Sequence, residues 1–418
     1  MLLKFDNGLR FACVEMPHMA SVSVGIWVGT GGRYEPLKLN GVSHFIEHLL
    51  FKGTRKRNAK EISQAVEGVG GYLNAFTSEE HTCFYARAGV TQYETILEVL
   101  MDMFLNSKFD PVELERERGV IKEELAMYLD QPSQLVHEIL NETLWPNHPL
   151  GRSITGTMKS LDAIQRSDLL EYFRQFYNTG STLVVVAGPI KSSKALASFK
   201  KFYKKVRPGK TLAYSPITVD QTEPRVRLLT KKTEQTQLAM GIRTCSRHQD
   251  DRFSLRILNA VFGENMSSRI FQTIREEHGL AYTIYSSTSF FQDTGTITVS
   301  AGLDSGNLSK AMELVIREMQ ILKQTSVSRK ELTQGRDYVL GQLDLHLEST
   351  ENRMMWIGEQ LLGYGKIIPI DLIKKQISQV TARDIRRAAN TYFRPEHLSV
   401  ALVSPIKKAP VFPFKLLN

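Results

Sequence analysis

Five consecutive residues, His44-Phe45-Ile46-Glu47-His48, bring two imidazoles and a carboxylate close together in the chain. On a helix, positions four apart share a face, so His44 and His48 can point at one ion. Glu47 stands three after His44 and one before His48, near enough to flank that ion without ligating it. Two neutral imidazoles and a nearby carboxylate are the groups that zinc-assisted hydrolysis requires. The plainer alternative is a pair of surface histidines on an amphipathic helix. The neighbours Phe45, Ile46, Leu49, Leu50 and Phe51 argue against it, because so apolar a stretch belongs to a buried helix. Buried histidines beside a buried glutamate need partners, and a metal ion supplies them.

The pattern H-x-x-E-H inverts the common zinc-protease helix motif. A catalytic zinc usually takes three protein ligands and keeps one position open, so a third ligand must come from elsewhere. The segment Glu113-Leu-Glu-Arg-Glu117-Arg-Gly-Val-Ile-Lys-Glu123-Glu124-Leu-Ala predicts a strong helix. Leu114, Val120, Ile121 and Leu125 mark its buried face. Glu117 and Glu124, seven apart, lie along one side adjoining that stripe, whereas Glu123 points elsewhere. Spacing by itself leaves a solvated acidic face and a ligand-bearing face both open.

These helices must be held by a larger frame. A chain of 418 residues predicts two domains, and it contains two copies of one unit. Asp168 to Tyr177 reads as an acid-started helix, followed by a strand from Leu183 ending in Pro189-Ile190. The same order recurs from Asp384 to Phe393, with a strand from Leu398 ending in Pro405-Ile406. Asp168 and Asp384 are 216 residues apart, as are Pro189 and Pro405. Upstream, the alternating strand Val22 to Val28 is echoed by Thr236 to Ile242. The helix around His44 to Phe51 is echoed by Leu255 to Phe262, and the strand Gly71 to Ala88 by Gly279 to Ala301. A helix from Asp110-Pro111 has its counterpart from Ser328. The expected fold class is α+β: two α/β-sandwich units in tandem, 1–215 and 216–418, divided in the polar stretch from Pro208 to Pro224. Aligning Phe51 with Phe262 puts Leu255 opposite His44 and Asn259 opposite His48, so only the first unit can build the metal site.

The bulk numbers exclude several classes. No stretch approaches the ~20 apolar residues of a membrane span, and the start carries no secretory h-region or Arg-rich transit pattern. Three scattered cysteines argue against a disulfide framework and for a reducing compartment. The net charge of +9 comes with no nucleic-acid motif. Short basic runs, such as Lys52 to Lys60 and Lys200 to Lys205, read as solvated faces.

With these residues in place, the chain resembles the pitrilysin-type zinc peptidases, or inverzincins. That group includes insulin-degrading enzyme, the mitochondrial processing peptidase and short bacterial relatives. The resemblance runs from about Asp6 to Ile406. It rests on H-F-I-E-H, on E-R-G-V-I-K-E-E, and on Gly71-Tyr-Leu-Asn74-Ala75-Phe76-Thr-Ser78, which is similar to the family's G-x-x-N-A-x-T-S strand. It implies that Glu124, 76 residues past His48, is the third zinc ligand and that Glu117 supports the site. It implies that Glu47 is the base, and that a peptide pairs in extended form with the strand edge at Asn74, Ala75 and Phe76. Phe262 to Tyr282 resembles a second-domain segment of the family, which implies that Arg275 and Tyr282 reach a zinc site. Short family members pair two chains into a clamshell-like chamber. The implied assembly is therefore a homodimer with one Zn²⁺ per chain and unfolded peptides as substrate, with no nucleic acid and no membrane, and with Arg275 and Tyr282 serving the partner's zinc. The expected compartment is the cytoplasm, or an organelle matrix after loss of a presequence. A presequence-processing peptidase and a non-catalytic structural subunit are the alternatives; retention of the full ligand set disfavours the second.

Overall fold

The computed structural model describes residues 1–417, which form two compact units, each built on one sheet. The first sheet contains β1 (Leu2–Lys4), β2 (Arg10–Glu15), β3 (Ser21–Val28), β4 (Tyr72–Thr77), β5 (Thr82–Gly89) and β6 (Thr182–Gly188). Their order is β1-β2-β6-β3-β5-β4, with β2 and β6 parallel and the other neighbours antiparallel. The second sheet contains β7 (Arg225–Thr230), β8 (Thr236–Thr244), β9 (Ala281–Phe290), β10 (Gly295–Leu303) and β11 (Leu398–Ser404). Its order is β7-β11-β8-β10-β9, with β7 and β11 parallel. Without β1 the two sheets have the same order and the same single parallel pair, so the sequence repeat is a repeat of topology. The stretches Gly71 to Ala88 and Gly279 to Ala301 are each a hairpin of two strands rather than one strand.

The units are not two contiguous halves. Unit one takes 1–126, 152–215 and 345–367; unit two takes 127–151, 216–344 and, among the described residues, 368–417. The cause is a reciprocal exchange of helices. Helix Pro132–Leu144, from the first half of the chain, lays Leu135, Val136, Ile139, Leu140 and Leu144 on Ala239, Ala401 and Val403 of β8 and β11. Helix Thr350–Gly363, from the second half, lays Met354, Ile357 and Leu361 on Trp27, Cys83, Leu183 and Val185 of β3, β5 and β6.

The exchange explains why β3 does not behave as a one-faced alternating strand. The predicted outward positions Ser23, Gly25 and Trp27 are all buried. Ser23 Oγ and Thr350 Oγ1 are hydrogen-bonded at 2.9 Å. Gly25 on β3 and Gly241 on β8 each lie under one of the two exchanged helices. A Cβ on Gly25 would come 2.3 Å from Met354 Sδ, and one on Gly241 would come 2.6 Å from Leu144 Cδ1. At both positions the glycine leaves room for a side chain of the exchanged helix to approach the sheet closely.

The opposite face of each sheet carries the main core. In unit one it includes Phe11, Val24, Ile26, Phe45, Ile46, Leu49, Phe84 and Ile121, so the helices proposed from sequence to bear the site pack directly on it. Among the described residues no helix is long and apolar enough to cross a membrane.

Candidate metal centre

The helix Val42–Leu50 buries Val42, Phe45, Ile46, Leu49 and Leu50, which leaves His44, Glu47 and His48 on the opposite side. Its start is fixed unusually well. Gly41 has φ 94°, a left-handed conformation that favours glycine. The Glu35 carboxylate accepts from the Gly41 amide at 2.7 Å and from the Ser43 amide at 2.8 Å, while Asn40 Nδ2 donates to it at 3.2 Å. Burial pushes the Glu35 carboxyl up, against the lowering effect of the Ser43 and Gly41 amides. A buried carboxylate thus satisfies free amides of the helix start and fixes where the helix that carries the histidines begins.

The helix Pro111–Asp130 supplies the acids. Glu124 Oε2 lies 3.7 Å from His44 Nε2 and 3.5 Å from His48 Nε2. Ligand atoms of His44, His48 and Glu124 all lie within 4.8 Å of one another, the one such group among the described residues. Zinc bonds of about 2.0–2.1 Å in tetrahedral geometry place neighbouring donors about 3.3 Å apart, so the two distances to Glu124 are within a few tenths of an ångström of those in a zinc cage. Its donor chemistry fits as well. Burial, with the neighbouring His48, pushes the His44 pKa down to about 4, so its imidazole is neutral at physiological pH. Burial opposes charge on His48, but hydrogen bonding from Glu124 and Glu117 outweighs it and raises the basicity of this ring. Glu117 Oε2 is 3.1 Å from His48 Nδ1. A carboxylate on the second nitrogen fixes the ring's orientation and leaves Nε2 for the metal. Glu117 therefore sits behind His48, and Glu123 is exposed on another face.

Glu47 is bonded by Thr77, whose hydroxyl donates to Glu47 Oε2 at 2.6 Å. Burial raises the Glu47 carboxyl pKa, against the lowering effect of Thr77. A raised carboxyl suits a group that must take a proton and give it back. Thr77 ends β4, an edge strand paired only with β5. Asn74 is exposed on β4, and Ala75 and Phe76 are half-buried. Their outer edge can accept an extended chain. Thr77 stood inside the sequence motif without a role; no local spacing links it to Glu47, thirty residues earlier. Replacing Thr77 by Val should lower kcat about 10–100-fold with little change in KM, since a hydrogen bond to a charged group contributes roughly 1.5–3 kcal/mol. Thr77→Ser should recover most of the rate. Steady-state kinetics would reject the link if Thr77→Val left kcat unchanged.

In the second unit, Asn259 occupies the place matched to His48. Its side chain is satisfied by Glu264, at 2.7 Å, and by the hydroxyl of Ser286, at 2.7 Å, and Leu255 is fully buried. Arg275 and Tyr282 are brought together there. Arg275 Cζ lies 5.3 Å from the Tyr282 ring centroid, and the tyrosine, on β9, is 74% exposed. His81 lies against Trp27 and Phe76, and His278 Nδ1 meets the Thr273 carbonyl.

Comparison with known proteins decides the family. Residues 10–158 match the family described as insulinase, peptidase family M16, and 163–338 match its companion, the M16 inactive domain. The chain belongs to peptidase family M16. The M16 chain is 35% identical over 407 residues to an uncharacterized zinc protease, YmxG, of Bacillus subtilis, covering 97% of this chain and 98% of that one. It is 33% identical to an uncharacterized zinc protease of Streptomyces coelicolor, covering 96% and 88%. A solved protease from Helicobacter pylori shares the fold at TM-score 0.91 and 21% identity, covering 97% and 99%. The lack of metal ligands at Leu255 and Asn259 agrees with the description of the second M16 segment as inactive.

Proposed function

We propose that this M16 protein is a zinc metalloendopeptidase that hydrolyses unfolded peptides bound in extended form. The observation that carries the reading is the convergence of His44, His48 and Glu124, with Glu47 beside them but bonded to Thr77. Zinc held by the three ligands would polarise a scissile carbonyl and make a water molecule more acidic. Glu47 removes the proton of that water as it attacks the carbonyl carbon, then delivers it to the leaving amine nitrogen as the C–N bond breaks. The β4 edge at Asn74, Ala75 and Phe76 aligns the peptide backbone. Arg275 and Tyr282 stabilise the developing oxyanion, a role assigned on family resemblance.

The chain carries both the ligand set and the Arg/Tyr pair, so a second copy of itself would suffice as partner. A homodimer enclosing a chamber is the proposed working form. Three buried free cysteines, Cys13, Cys83 and Cys245, suit a reducing compartment such as the cytoplasm. Digestion of a mixed peptide library, read by mass spectrometry, tests the proposal. Cleavage of internal bonds in unfolded peptides, with folded proteins spared, is the expected result. No cleavage by the zinc-loaded protein would overturn it. Cleavage confined to basic targeting presequences would instead favour a processing peptidase.

A further inference from the structure

Lys52 lies four residues after His48, just beyond the end of the metal helix. Its ammonium is 2.9 Å from Glu117 Oε1, while Glu117 Oε2 faces His48 Nδ1 at 3.1 Å. The lysine side chain is 31% exposed and that of Glu117 only 3%. An ion pair between two exposed groups contributes little, but here one partner is buried and touches a metal-binding imidazole. A buried carboxylate is stable as an anion only when both of its oxygens are engaged. Lys52 engages one and His48 the other, so the carboxylate cannot rotate without losing both.

We propose that Lys52 is a positioning residue for the metal centre: by holding one oxygen of Glu117, it fixes the other as acceptor for His48 Nδ1–H and thereby directs Nε2 to the metal. The inference rests on the zinc reading above. It assigns a task to a lysine that the sequence presents only as part of a basic surface run.

The test is zinc affinity, measured on the full chain by competition with a chromophoric chelator. Lys52→Met should weaken zinc binding about 10–100-fold, the usual effect of losing a partner behind a ligand. Lys52→Arg should bind within a few-fold of the parent. In a Glu117→Gln background the carboxylate charge is gone, and Lys52→Met should then change affinity less than twofold. Equal losses in both backgrounds, or parental affinity in Lys52→Met, would overturn the inference. Thermal unfolding of the metal-free proteins separates a binding defect from a folding one. Should Lys52→Met not fold, Lys52→Gln carries the same comparison. Absence of zinc binding by the parent chain would refute the metal site itself, a different failure.

Discussion

Glu47→Gln is expected to reduce peptide hydrolysis by about 10²–10⁴-fold, the range for loss of a general base, or about 3–5 kcal/mol in the barrier. The substitution preserves size and the hydrogen bond from the Thr77 hydroxyl. It removes only the capacity to take a proton. Zinc content should be unchanged, because Glu47 is bonded to Thr77 rather than gathered with His44, His48 and Glu124. Metal content measured beside the rate therefore isolates the chemical step. A variant that keeps its zinc and cleaves at the parental rate would remove Glu47 from the mechanism.

The second large effect concerns the third ligand. Glu124→Gln replaces an anionic donor with a weak neutral one and leaves two imidazoles. Zinc affinity should fall by more than the about 10–100-fold typical of lost supporting groups, and activity should fall with it. The helix also offers Glu117, so the substitution discriminates between the two acids. Glu124 meets the Nε2 atoms of both histidines, whereas Glu117 meets Nδ1 of His48 and is paired to Lys52. If Glu124→Gln kept full zinc and activity after gel filtration, Glu124 could not be a ligand. Chelation of the parent protein followed by zinc readdition should abolish and then restore cleavage.

The local sequence was most informative where the chemistry is local. His44, Glu47 and His48 lie within one helical turn, and helical periodicity alone puts both imidazoles on one side, away from Phe45, Ile46 and Leu49. The repeat was equally legible: both copies keep the same strand order, so hydrophobic runs and helix starts recur in the same sequence of elements. What escaped depends on contacts between distant segments. Glu35 as the cap of the metal helix, Thr77 as the holder of Glu47, and Lys52 as the partner of Glu117 leave no periodic trace. A single polar residue at a surface-like position reads the same whether it is solvated or bonded.

The exchanged helices escaped for a related reason. Pro132–Leu144 and Thr350–Gly363 are amphipathic segments whose pattern shows that they bury a face, but not against which sheet. The glycines at positions 25 and 241 were the available signal, since each sits mid-strand where only a close neighbour would demand it. By itself, then, the sequence determined the helix that presents two imidazoles, the doubled α/β architecture and the restriction of the metal motif to one copy, because periodicity and repetition are properties of one dimension. The tertiary structure decided which acid stands among the histidines, which group bonds Glu47, and which sheet each amphipathic helix covers. Those outcomes depend on distances between residues tens to hundreds of positions apart, which only folding sets.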